Sequence, residues 1–410
     1  MSFSTHTLDN GLQLVFEEIP RIRSAAAGFL ANTGSRDEPP KLAGVSHFLE
    51  HMCFKGTAKR DWRQLSLDVD DLGAMWNAYT WWEGTAYFHW VQSERILESI
   101  EILSDMMRST LPNEEFDMEK KVILEEIAMY NDRPDSIIFD ELIQSTYDGH
   151  PLGQSILGTQ ETVGGITRNE MAKYFNRRYS PDNLTFIVTG RFDRDKIIQT
   201  VTDCCGTWES HPTTREQVPP TFKSSSQVRQ KEGVAREHIA FAIPAPPASD
   251  GASVTADLLA AYLGASTNSR LFWSVIQKGL ADEASSDYYG FSDSGLFYVY
   301  LSVDPSNAEQ VVNIVRDELG DLGNGIDSDA LERTKTKAAT SMVTSGQHGL
   351  HRFSQIVGDL STETPLKSLD EQLEEIDQVS AAGIESYLLK YPVTAEPSII
   401  ALGPMAEATW

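Results

Sequence analysis

A chain of 410 residues exceeds what one hydrophobic core usually organises, so two domains are expected. Its 40% hydrophobic and 23% charged content excludes a disordered or fibrous chain. The net charge of −26, from 60 acidic against 34 basic side chains, repels phosphate backbones, which argues against nucleic-acid binding and favours basic partners.

The opening Met1 to Gly11 has no basic region followed by an apolar stretch, so no signal peptide is expected. The longest near-apolar run, Ala25 to Ala31, is too short to span a bilayer. Cys53, Cys204 and Cys205 have no metal-type spacing and imply no disulfide framework. A reducing, cytoplasmic location is the expectation. Leu14-Val15-Phe16 and Ser24 to Leu30 read as two strands of a hairpin around a Pro-containing turn. Helical periods follow at Leu42 to Phe54, a strand-like run at Trp76 to Val91, and helices at Arg95 to Met107 and Asn113 to Tyr130. A further strand, Leu184 to Thr189, ends at Gly190. Ser210 to Gln227 carries Pro212, Pro219, Pro220 and three consecutive serines without apolar periodicity, and reads as a linker able to hinge. Beyond it the order repeats loosely: a strand at His238 to Ile243, a helix at Thr255 to Leu263, a strand at Gly295 to Val303 and a helix near Asp329 to Thr344. The expected fold is α+β, with two similar domains (1–209 and 228–410) joined by linker 210–227. Each is an antiparallel sheet with helices packed on one face, the pair forming a clamshell.

The segment His47-Phe48-Leu49-Glu50-His51 carries the chemistry. On a helix, His47 and His51 lie one turn apart with Glu50 beside them, while Leu42, Val45, Leu49 and Met52 form a separate apolar stripe. Two imidazoles at this spacing can share one Zn²⁺, which then needs a third protein ligand and an open position. The bland alternative, two histidines on a solvated surface, is weakened by a face that is not otherwise polar. The segment Phe116 to Tyr130 offers Glu119, Glu125 and Glu126. With Ile123 at the centre of the apolar face and about 100° per residue, Glu119 and Glu126 fall on that face and Glu125 points away. Buried carboxylates need a partner, so Glu119 and Glu126 are both candidates. His348 and His351 could mimic a metal pair, but no third ligand stands near them in sequence, and a surface or core role is expected.

His47 to Thr57, HFLEHMCFKGT, resembles the inverted zinc motif H-x-x-E-H of the pitrilysin or insulinase superfamily. Asn77 to Thr80, Val122 to Glu126, Phe139-Asp140, Pro151 to Gly158 and Tyr179 to Gly190 extend the resemblance over most of the first half, within the processing-peptidase-like subgroup. The resemblance implies one Zn²⁺ held by His47, His51 and Glu126, with Glu50 as general base and Glu119 supporting a ligand from behind. It also implies substrate contacts from Phe54, Asn77, Ala78, Thr80 and Asp140. Asn77 to Thr80 would lie on an edge strand that pairs with an extended peptide. Of the two acids that processing peptidases use to read an upstream arginine, one falls on Asp140 and the other on Ser136.

One departure matters. The arginine and tyrosine that active relatives place on the second domain fall here on Ile276 and Asp282, with Tyr288 and Tyr289 nearby. The expected partner is therefore a homologous sister subunit carrying the Arg–Tyr pair, or a second copy in a homodimer, and the substrate an unfolded or presequence-like peptide. The rival from another class is a non-catalytic scaffold or peptide-binding subunit of a larger complex.

Overall fold

A computed structural model describes residues 3–215, 218–265, 267–408 and 410. Six strands, β1 (Phe3–Thr7), β2 (Gln13–Glu18), β3 (Ser24–Ala31), β4 (Met75–Thr80), β5 (Thr85–Gln92) and β6 (Leu184–Gly190), form one sheet in the order β1-β2-β6-β3-β5-β4. Five more, β7 (Ser226–Gln230), β8 (Glu237–Ala245), β9 (Ala281–Gly290), β10 (Gly295–Val303) and β11 (Ser398–Gly403), form a second in the order β7-β11-β8-β10-β9. Without β1, the two orders correspond strand for strand. Each sheet has one parallel pair, β2 with β6 and β7 with β11, and is otherwise antiparallel. The duplication suspected from the loose repeat is thus plain in topology.

The hairpin expected between β2 and β3 does not form, because β6 lies between them. Every residue of β6 is buried, and so is nearly all of β3. Strands buried on both faces belong in a sheet interior with neighbours on both edges, and adjacency in sequence cannot override that. The run Trp76 to Val91 resolves into the β4–β5 hairpin, leaving β4 at an open edge.

Helices cover one face of each sheet, as expected. The opposite face of each is covered by a helix from the other half. Helix Pro134–Thr146 sets Ile138, Leu142 and Ile143 against Ala240, Ala242, Ile400 and Leu402 of the second sheet. Helix Gly349–Ser361 sets Phe353, Ile356 and Val357 against Val15, Ala26, Leu30 and Ile187 of the first. Gly28 permits this approach, since a Cβ there would lie 2.5 Å from the Phe353 ring. Arg352 crosses with the second helix and donates to both carboxylate oxygens of fully buried Glu17, at 2.8 and 2.9 Å.

Long-range contacts hold the start of the linker against the first half. Arg215 donates to Asp37 at 2.8 and 3.0 Å and to the Glu83 carbonyl at 2.7 Å, and His150 contacts the Val218 carbonyl at 2.8 Å. Proline and serine content predicted the lack of regular structure, which holds for the described residues up to Ser225, whereas β7 begins at Ser226 inside the expected linker; the long-range ion pairs have no local signature. Glu216 and Gln217 lie outside the described residues.

Helix Gly349–Ser361 carries a pH-dependent element. Burial pushes the Asp359 carboxyl up to about 7, against the pull of Arg352 and Lys367. The unfolded value is about 3.9. The folded chain therefore binds the extra proton, and the stability due to this group falls as pH rises from about 4 to 7. Asp359→Asn is expected to melt like the parent at pH 4 and about 2 °C higher at pH 8. Thermal scans at the two pH values check this, and a difference confined to pH 4 would overturn it.

Candidate active site

The motif folds as helix Val45–Met52, with Val45, Phe48, Leu49 and Met52 fully buried. Its N-cap, Gly44, has φ 91° and no side chain to satisfy the first amides. A Cβ there would come within 2.5 Å of the Leu157 carbonyl oxygen. Glu38 replaces the missing cap: its carboxylate accepts from Gly44 N at 2.7 Å and Ser46 N at 2.6 Å. An acid at a helix N-terminus also complements the dipole. Burial pushes its carboxyl up to about 8 despite these two bonds. Sequence reasoning missed Glu38; the available signal was a helix start without a capping side chain, a few residues after an acidic pair.

The long helix Asn113–Asn131 crosses this one, Phe48 stacking on Phe116 with ring centroids 4.7 Å apart. It brings Glu126 opposite the two histidines, while Glu125 is exposed as the face argument requires. Glu126 Oε1 lies 3.9 Å from His47 Nε2, and Oε2 lies 3.8 Å from His51 Nε2. These spacings are too long for hydrogen bonds. They suit donors arranged around one small cation, since two ligands each about 2.0–2.2 Å from a tetrahedral centre stand over 3 Å apart. The ligand atoms of the three residues all lie within 4.8 Å of one another, the only such group among the described residues. Burial, followed by the charge of His51, drives His47 down to about 3, so its imidazole is neutral with a lone pair to offer.

His51 turns its other nitrogen, Nδ1, to Glu119 Oε1 at 2.8 Å, and Lys55 Nζ holds Glu119 Oε2 at 2.6 Å. Burial opposes ionisation of Glu119, but the bonds to His51 and Lys55 outweigh it and hold the carboxyl below its ordinary range. This places His51 Nε2 toward Glu126 and fixes the ring. Lys55 was not foreseen. His47 Nδ1, by contrast, is buried without a protein partner among the described residues.

Glu50 sits beside the three, its Oε2 accepting from Thr80 Oγ1 at 2.6 Å. Burial raises the Glu50 carboxyl, opposed by that hydrogen bond. Thr80, expected among the substrate contacts, thus uses its hydroxyl on Glu50. His47, Glu50, His51 and Glu126 line a cavity of about 360 Å³ with Ala78, Thr80 and Asp140. Asn77 is exposed and accepts from the Ala78 amide at 2.9 Å. Phe54 packs against Trp76 and Tyr87, at ring distances of 5.0 and 6.4 Å. Ser136 accepts the Tyr130 hydroxyl on its backbone carbonyl at 3.0 Å.

In the second half, Ile276 closes a short π-helix, Phe272–Ile276, and Asp282 on β9 pairs with Arg236. Tyr288 donates its hydroxyl to the Pro246 carbonyl at 2.8 Å, and Tyr289 packs between Trp82 and Phe139. His348 and His351 are both exposed. No described helix is long and apolar enough to cross a membrane.

A duplicated α+β fold whose first half presents an inverted H-x-x-E-H helix defines the class. The sequence model of the insulinase family, peptidase family M16, matches residues 13–160, and that of the peptidase M16 inactive domain matches 165–338. An uncharacterized zinc protease of Bacillus subtilis is 32% identical over 378 residues, 92% of each chain. The beta subunit of the mitochondrial-processing peptidase of Saccharomyces cerevisiae is 29% identical over 422 residues, 97% of this chain and 90% of that one. The crystal structure of a protease from Helicobacter pylori superposes with TM-score 0.91 at 21% identity, covering 98% and 99% of the two chains. The chain belongs to the insulinase family, M16.

Proposed function

We propose that this protein is a zinc-dependent endopeptidase that cleaves unfolded or presequence-like peptides. In this reading it is the metal-bearing subunit of a two-chain enzyme, with halves 1–209 and 228–410 forming one side of the chamber. The observation that carries this is the convergence of His47, His51 and Glu126, with Glu50 held alongside by Thr80. The donor set fits zinc: two imidazoles and a carboxylate, with one imidazole oriented by a buried acid. A zinc ion bound there supplies the Lewis acidity that polarises a peptide carbonyl and acidifies water.

The remaining work falls to the chain's own residues. The open edge of β4 offers backbone groups to an extended peptide, laying it beside the cavity. Thr80 fixes one oxygen of Glu50, leaving the other to take a proton from water and pass it to the departing amine. Asp140 in the cavity wall and Phe54 beside it are the proposed specificity contacts. Ile276 and Asp282 offer no arginine or tyrosine to orient the carbonyl, and Tyr288 and Tyr289 are engaged elsewhere. A homologous partner carrying that pair is the proposed source, as the two-subunit naming of the yeast relative suggests.

Removing a ligand tests the reading. Replacing His47 or His51 by Ala, or Glu126 by Gln, is expected to reduce bound zinc from one per chain to near zero at micromolar metal. Glu125→Gln should keep it. Metal analysis of the purified variants decides, and full zinc in Glu126→Gln would overturn the assignment. Titrating the homologous subunit against this chain in a quenched-peptide assay should give a maximum at equal amounts. Full activity of this chain alone would remove the need for the partner.

A further inference from the structure

We infer that the second half, which offers no ligand to the candidate metal, positions the general base through a contact between the two equivalent hairpin turns. This rests on the peptidase reading above. The turn between β4 and β5, Trp81 to Gly84, follows directly on Thr80, whose hydroxyl holds Glu50. The turn between β9 and β10, Phe291 to Ser294, occupies the same place in the second sheet. The two meet across the interface through polar side chains, buried on the first half (Arg36, Glu83) and half-buried on the second (Ser292, Asp293).

Glu83 in the first turn is 1% exposed. Its Oε2 accepts from Ser292 N at 2.9 Å and its Oε1 from Ser292 Oγ at 2.6 Å. Arg36 donates to Glu83 Oε1 at 2.7 Å and to Asp293 Oδ1 at 2.9 Å, and its second nitrogen reaches Asp293 Oδ2. The backbone of the same segment runs beside the first turn, Ser35 N bonding the Trp81 carbonyl at 3.2 Å and Arg36 N the Trp82 carbonyl at 2.9 Å. Two residues further on, Glu38 caps the motif helix.

One short stretch, Gly34 to Glu38, therefore holds the helix bearing Glu50 at one end and, at the other, the turn that directly follows its hydrogen-bond donor, Thr80. Ser292 and Asp293 close the arrangement from the second half. Ionic hydrogen bonds excluded from water resist displacement, because each leaves an unpaired buried group when broken. The turn cannot swing away from Glu50 without breaking several. Arg36, Glu83, Ser292 and Asp293 are thus positioning residues that act through Thr80.

Asp293→Asn and Ser292→Ala keep the side-chain volumes and weaken the contact from the second half alone. In the full chain, amide hydrogen exchange over residues 75–84 is expected to quicken in both variants, with zinc content unchanged. Small misplacements of catalytic groups cost up to about 10²-fold, and a fall of about tenfold in kcat is expected, with KM little altered. In a Thr80→Val background the same substitutions should cost much less, since the link to Glu50 is already cut; a purely structural role would cost the same in either background. Unchanged exchange over 75–84, or full additivity with Thr80→Val, would overturn the inference. The exchange measurement needs no turnover, so it can succeed or fail independently of the peptidase reading.

Discussion

Glu50→Gln is expected to retain full zinc and lose peptide hydrolysis by about 10²–10⁴-fold, the usual contribution of a positioned acid–base group. The substitution is isosteric, and the amide oxygen can still accept the Thr80 hydroxyl, so the surroundings of His47 and His51 should persist. Glu50 stands outside the group of His47, His51 and Glu126 whose ligand atoms lie within 4.8 Å of one another, which separates its role from theirs. The contrast with Glu126→Gln is the informative part: one variant is inactive and metal-replete, the other inactive and metal-poor. Hydrolysis of a quenched peptide, measured beside zinc content and with the homologous subunit present, gives both readings at once. Parental activity in Glu50→Gln would sink the general-base role.

The second large effect concerns folding. Breaking the Arg352–Glu17 pair from one side leaves an uncompensated charge between the halves, which costs about 3–5 kcal/mol. Arg352→Met and Glu17→Gln are therefore each expected to destabilise the chain by about that amount in urea unfolding. Arg352→Met combined with Glu17→Leu removes both charges and should recover most of the loss, because an apolar pair of similar bulk suits the neighbouring Phe353 and Ile356. The exchanged helices predict a further result. Each sheet buries one face only when the other half is present, so both halves should unfold in one transition. Fluorescence and far-UV circular dichroism should report the same midpoint. Two resolved transitions, with the first half folded alone, would contradict the interlock.

Much of the candidate site was legible in the sequence because its information is local. A pair of histidines one turn apart with a glutamate between them requires only helical periodicity. The choice of Glu119 and Glu126 over Glu125 requires the same periodicity on one more helix. Strands and helices with strong patterns, such as Leu184 to Gly190 and Asn113 to Asn131, were visible for the same reason.

What the sequence could not decide depends on contacts between distant segments. The insertion of β6 between β2 and β3 follows from burial on both faces, which a seven-residue apolar run does not distinguish from one-sided burial. β7 and β11 escaped notice because the first is polar and exposed and the second gains its place only by pairing with β7 and β8. The exchange of helices Pro134–Thr146 and Gly349–Ser361 turned two modules into an interlocked body, and neither helix announces in its own pattern which sheet it will cover. Glu38 and Lys55 read as ordinary polar residues, and Thr80 as a substrate contact, until the fold brings them within 2.6–2.7 Å of the amides and carboxylates they hold. Periodicity along one element determined which side chains could ligate a metal; packing between elements decided what holds them still.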